Sequence, residues 1–83
     1  MIEANQVYML KDVARLSGHS IYTLKFYLKL GLIQEVGRSP ETRFRYFDET
    51  TLERLAMIRQ LRKQGQHLAH ISHLIQAQDR STV

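Results

Sequence analysis

The chain has 83 residues, 43% of them hydrophobic and 24% charged, with no cysteine. That length suits one small domain, which buries only about 60% of the surface its unfolded chain exposes; a single core is expected and a deep catalytic cleft is not. The absence of cysteine excludes disulfides, thiolate metal sites and redox switching, and a net charge of +4 favours polyanionic partners. "MIEANQ" at the start is polar and carries an acid, unlike a secretory signal, and no apolar run approaches the roughly 20 residues of a membrane span. A cytoplasmic protein is expected.

Leu10, Val13, Ala14 and Leu16 make the apolar stripe of a first helix ending near Ser17, with Lys11, Asp12 and Arg15 on its other side. Met9 is a poor cap for its start. Gly18 supplies a left-handed stop, and Ser20 is a good N-cap for a second helix. Two short helices joined by a glycine-containing turn have the spacing of a helix-turn-helix. In the second helix, Ile21, Leu24, Tyr27 and Leu28 project to one side, and Tyr22, Lys25, Phe26 and Lys29 to the other.

Gly31 ends that helix. Leu32 to Val36 reads as a short strand, "GRSPET" as a turn with Pro40 at its tip, and "RFRYF" as a returning strand. The two-residue alternation sends Phe44 and Tyr46 to one face of that strand, and Arg43 and Arg45 to the other.

Asp48 caps a third helix from about 49 to 64, with Leu52, Leu55, Ile58 and Leu61 as its stripe. Gly65 stops it. A fourth helix from about 67 to 76 is expected to bury Leu68, Ile71, Leu74 and Ile75, and the tail "QAQDRSTV" to fray for want of an apolar period.

In order, "VYMLKDVARLSGHSIYTLKFYLKLGLI", "RFRYFDETTLERLAMIRQLRKQG" and "LAHISHLI" resemble the DNA-binding domain of MerR-family transcription regulators. The shared pattern falls on Tyr8, Gly18, Ser20, Thr23-Leu24-Lys25-Phe26-Tyr27, Gly31-Leu32-Ile33, Phe44-Arg45-Tyr46-Phe47 and Gly65. The resemblance implies a mainly α fold: a winged helix-turn-helix of four helices, with a two-stranded β-hairpin wing between helices 2 and 3. The helix-turn-helix spans 10–30, the wing 32–47, the helix pair 48–76 and the tail 77–83, all in a single domain. It also implies that helix 2 (20–30) enters the major groove while the wing (37–45) reaches backbone or minor groove. Lys25 stands at the family's arginine and Arg45 at the wing arginine.

There are departures. Phe26 stands where the family has tyrosine and lacks its hydroxyl, which Tyr22 one turn earlier can supply. Leu28 replaces a glutamate and His19 a valine. Arg43 replaces the small residue that opens the wing strand, adding a cation, and Gln66 replaces an aromatic, with a looser joint expected. The sequence stops at Val83 without the family's long dimerisation helix, so it reads as an excised domain or a short stand-alone member, and the usual dimer is not expected.

The expected interface is therefore Ser20, Ile21, Tyr22, Thr23, Lys25, Phe26, Tyr27, Lys29, Arg38, Arg43 and Arg45. The bland reading of these cations is a solvated surface; motif, charge and position together favour DNA. Arg54, Arg59 and Arg62 read as ordinary surface charges. His67, His70 and His73 recur every three residues, but no cysteine or carboxylate nearby completes a ligand set. No metal, cofactor or catalytic residue is assigned, and no nucleophile, base and orienting acid are arranged for catalysis. Expected partners are double-stranded DNA and, through weak contacts between molecules lined up on it, a second copy; contact with RNA polymerase is left open. The alternative is a protein-binding adaptor of the same layout, of the chaperone-modulator type.

Overall fold

The computed structural model describes residues 6–80; most of "MIEANQ" and the last three residues of the tail lie outside them. The order is β1 (Tyr8–Met9), α1 (Leu10–Ser17), α2 (Ile21–Leu30), β2 (Gly37–Arg38), β3 (Arg45–Phe47), α3 (Glu49–Lys63) and α4 (Leu68–Arg80). The four helices, with the wing between α2 and α3, follow in the order expected from the sequence.

Local chemistry sets the boundaries. Met9 has no side chain to cap α1, but the Asp12 carboxylate accepts the Met9 N–H at 2.9 Å, half of a capping box. That bond holds the Asp12 carboxyl below the usual carboxylate range. Ser20 accepts from the Thr23 N–H at 3.0 Å to start α2, and Asp48 accepts from Thr50 to start α3. At the end of α2, Gly31 takes a left-handed conformation (φ 80). The Leu32 N–H then reaches back to the Tyr27 carbonyl at 2.9 Å, the Schellman arrangement, which delivers Leu32 into the core.

That delivery overturns the strand expected over Leu32 to Val36. Leu32 and Ile33 are both buried, whereas a half-buried strand would bury every second residue. They plug the core, and β2 is only Gly37–Arg38. The sheet also has a third strand that the hairpin expectation omits. Its order is β1-β3-β2, antiparallel throughout, with Tyr8 opposite Phe47 and Gly37 opposite Tyr46. The wing is thus anchored to the segment that leads into α1. At Gly37 a Cβ would collide with the Tyr46 ring, so the glycine lets an aromatic lie across the wing.

Val13, Leu24, Tyr27, Leu32, Ile33, Phe47, Leu55, Ile58, Ile71 and Ile75 form the buried core. Three residues expected there are exposed: Leu16, Ile21 and Leu74. Each sits at the margin of its helical stripe, and with two or three turns packed the core is too small to cover the margins. α4 continues through 77–80 to Arg80, contrary to the fraying expected there. Gln76, Ala77, Gln78 and Arg80 are good helix formers, and propensity carries the helix where the apolar period stops.

The joint before α4 is also firmer than Gln66 suggested. The Gln66 N–H reaches the Leu61 carbonyl at 3.1 Å, and its own carbonyl accepts from Arg62 at 3.3 Å.

Candidate nucleic-acid interface

α2 presents its polar side outward as read from the sequence. Tyr22 is 82% exposed and Phe26 44%, and Lys25 and Lys29 are exposed with them. Tyr27 is 7% exposed; its ring packs edge-on to His19, with centroids 5.8 Å apart, so it supports the helix from within. Ile21, assigned to the core side, is 42% exposed at the helix's first turn. It stands beside Tyr22 at the exposed start of the helix. The Ser20 hydroxyl is engaged with Thr23, donating to its Oγ1 at 3.0 Å while capping its N–H; these two residues fix where the helix begins.

The wing departs from simple alternation. β3 begins at Arg45, and Phe44 before it is 61% exposed. Arg43 has a left-handed backbone (φ 65), a conformation that costs a non-glycine residue about 1 kcal/mol. Its N–H closes the loop on the Ser39 carbonyl at 2.8 Å, and the Ser39 N–H meets the Phe44 carbonyl at 3.0 Å. The loop turns at Arg43, so Arg43 and Arg45 do not share one strand face.

What the fold does bring together is a groove between α2 and the wing. Lys25, Arg38, Arg43 and Arg45 line it, joined by Lys11 from α1, with Met9, Leu10 and Phe44 as apolar lining. Lys29 does not line it. Lys11 was missed because, on its own helix, it reads as a solvated charge; only the three-dimensional closure of the wing over α1 and α2 puts it beside the others. Glu35 was missed as well. Its carboxylate accepts from Arg38 Nε at 2.7 Å and pairs with Arg45 Nε at 2.9 Å. The hydrogen bonds from Arg38, then its charge and that of Arg45, hold the Glu35 carboxyl below the usual carboxylate range against opposing desolvation. Lys25, Lys29 and Arg43 form no ion pair among the described residues.

The arginines of α3 are not idle surface charges. Arg59 donates to the Ser17 carbonyl at 2.7 Å and Arg54 to the Leu32 carbonyl at 3.2 Å. These bonds fasten α3 to the turns that bracket α2 and so hold α2 in place. Partial burial, with the nearby Arg59 charge, pushes the His19 imidazole below its ordinary value. Among the described residues no three histidine, aspartate or glutamate side chains gather as a metal site requires, and no helix is long and apolar enough to cross a membrane.

The chain matches the model of the MerR HTH family regulatory proteins over residues 8–78. No curated protein matches it. Among solved structures it is similar to HiNmlR, a MerR family regulator lacking the sensor domain, bound to promoter DNA. The identity is 33% and the TM-score 0.75, over 83% of this chain and 54% of that one. It is similar also to the HTH-type transcriptional regulator SkgA from Caulobacter crescentus, at 34% identity and a TM-score of 0.74, over 82% of this chain and 48% of that one. A third is the transcription regulator PbrR691 from Ralstonia metallidurans CH34 in complex with lead(II), at 30% identity and a TM-score of 0.77, over 92% of this chain and 58% of that one. The chain thus spans about half the length of these regulators. With a helix-turn-helix, a cation-lined wing and a family match over nearly its whole length, the chain belongs to the MerR HTH family and has the DNA-binding fold of its regulators.

Proposed function

We propose that this chain binds double-stranded DNA with sequence preference, as a cytoplasmic transcription regulator or a DNA-architectural accessory factor, and is not an enzyme. Residues 20–30 enter the major groove, with Ile21, Tyr22 and Phe26 toward base edges and Lys25 and Lys29 toward phosphates. The wing residues Arg38, Arg43 and Arg45 meet the adjacent backbone, and Lys11 joins them.

The observation that carries this reading is the groove in which cations from α1, α2 and the wing converge around an apolar lining. Phosphate oxygens suit its guanidinium and ammonium groups, and the sugar face suits Phe44 and Leu10. The similar regulator HiNmlR, bound to promoter DNA, supports the same partner.

Fluorescence anisotropy of the intact chain with a labelled mixed-sequence duplex tests it. Binding should weaken linearly in log affinity against log salt, by about 0.9 per phosphate neutralised. Absence of binding at low salt would favour the protein-adaptor alternative instead.

A further inference from the structure

We propose that Glu35 sets the selectivity of this interface. It is a built-in counter-charge that holds Arg38 and Arg45 in a fixed arrangement and tempers their sequence-independent grip on phosphate. The inference rests on the DNA-binding reading above.

Arg38 and Arg45 are direct cross-strand partners in β2 and β3, a placement in which like charges repel. One carboxylate resolves this. Glu35 Oε2 accepts from Arg38 Nε at 2.7 Å and Oε1 from Arg38 Nη2 at 3.3 Å, while Oε1 also pairs with Arg45 Nε at 2.9 Å. The three side chains are 31–45% exposed, so they stand at the solvent edge where a phosphate arrives.

Two consequences follow from the geometry. The trio carries one net positive charge where the two arginines alone would carry two, so it neutralises less phosphate charge and fewer counterions leave the DNA on binding. A guanidinium has five N–H donors, and Glu35 engages two of Arg38 and one of Arg45. The remaining donors are held in preset directions. Preset guanidinia reward phosphates that arrive in the matching register, whereas two unpaired arginines adapt to any. Glu35 therefore lowers non-specific binding more than binding in register, and raises the ratio between them.

The test compares the wild-type chain, Glu35→Gln and Glu35→Ala on a mixed-sequence duplex and on the duplex that a binding-site selection with the wild type returns, with a thermal melt of each protein. On the mixed duplex both variants should bind tighter at low salt, with a salt slope steeper by up to about 0.9, an advantage that shrinks roughly threefold between about 50 and 200 mM salt. The ratio of selected to mixed affinity should fall. Equal or weaker binding to the mixed duplex with an unchanged slope, or an unchanged ratio, in folded variants overturns the proposal. Loss of folding in both also overturns it, by making Glu35 a structural support. A wild-type chain that binds no duplex is a separate outcome, which removes the DNA-binding reading itself.

Discussion

The Arg59 guanidinium donates to the carbonyl of Ser17, 42 residues away in sequence, at 2.7 Å. Ser17 is the last residue of α1, where carbonyls lack helical partners, and a cation at a helix C-terminus also complements the helix dipole. One side chain of α3 thereby closes α1 and fixes the turn into α2. Arg59→Ala leaves that carbonyl to water and should lower stability by about 1 kcal/mol, since hydrogen bonds to charged groups contribute modestly when solvent reaches them. For a domain of this size that is a fall in Tm of about 4–8 °C. A melt of the variant within about a degree of the wild type would show the bond contributes nothing.

His19 makes stability depend on pH through the same contact. Arg59 Nη2 lies 3.2 Å from His19 Nδ1, and a nitrogen that accepts from a guanidinium is unprotonated. The folded-state pKa is lowered from the ordinary 6.5, chiefly by burial and then by the Arg59 charge. A base with a depressed folded pKa gives stability that is complete above its unfolded value and is lost as pH falls through the folded one. Wild-type Tm should therefore decline as pH drops below 6.5, and the decline should be shallower in His19→Gln. Parallel Tm profiles for the two proteins would contradict this.

These contacts mark where the sequence stops being legible. Helix spans, caps and the Tyr22, Lys25, Phe26 and Lys29 face were readable because helical periodicity and capping are local properties. Leu32 and Ile33 looked like a strand because two apolar residues after a glycine suit strand and core plug equally. β1 has only two residues, Tyr8 and Met9, too few to show any period. Lys11, Glu35 and Arg59 act across the fold, and nothing in the composition around them signals the partner. The site's sign was legible, and its shape was not.

At Arg43 a left-handed backbone coincides with a proposed DNA contact. It stands where the MerR pattern has a small residue, and its backbone is left-handed, a region glycine enters freely. Arg43→Gly should raise stability by about 1 kcal/mol by removing that strain, and the same change should lower the DNA salt slope by about 0.9 through the lost cation. Denaturant unfolding and a salt titration on one preparation read both effects. A variant that is no more stable would mean the wing loop relaxes around arginine without strain, and an unchanged slope would remove Arg43 from the backbone contacts.

Lys25 and Tyr22 should separate affinity from selectivity, although they are three residues apart on one helix. Lys25 lines the groove with the wing arginines, where a cation meets phosphate whatever the sequence. Lys25→Ala should weaken binding to every duplex alike and reduce the salt slope by about 0.9. Tyr22 is in the first turn of α2 and 82% exposed. On the proposed function it faces base edges, and it carries the hydroxyl that Phe26 lacks. Tyr22→Ala should leave the slope unchanged and alter which sequences emerge from a binding-site selection, with a loss of about 1 kcal/mol at the positions it reads. Tyr22→Phe isolates the hydroxyl: a preference intermediate between wild type and Tyr22→Ala would assign part of the reading to its hydrogen bond. If Tyr22→Ala returned the wild-type sequence preference, selectivity would have to reside in Ile21, Phe26 or the bending of the DNA instead.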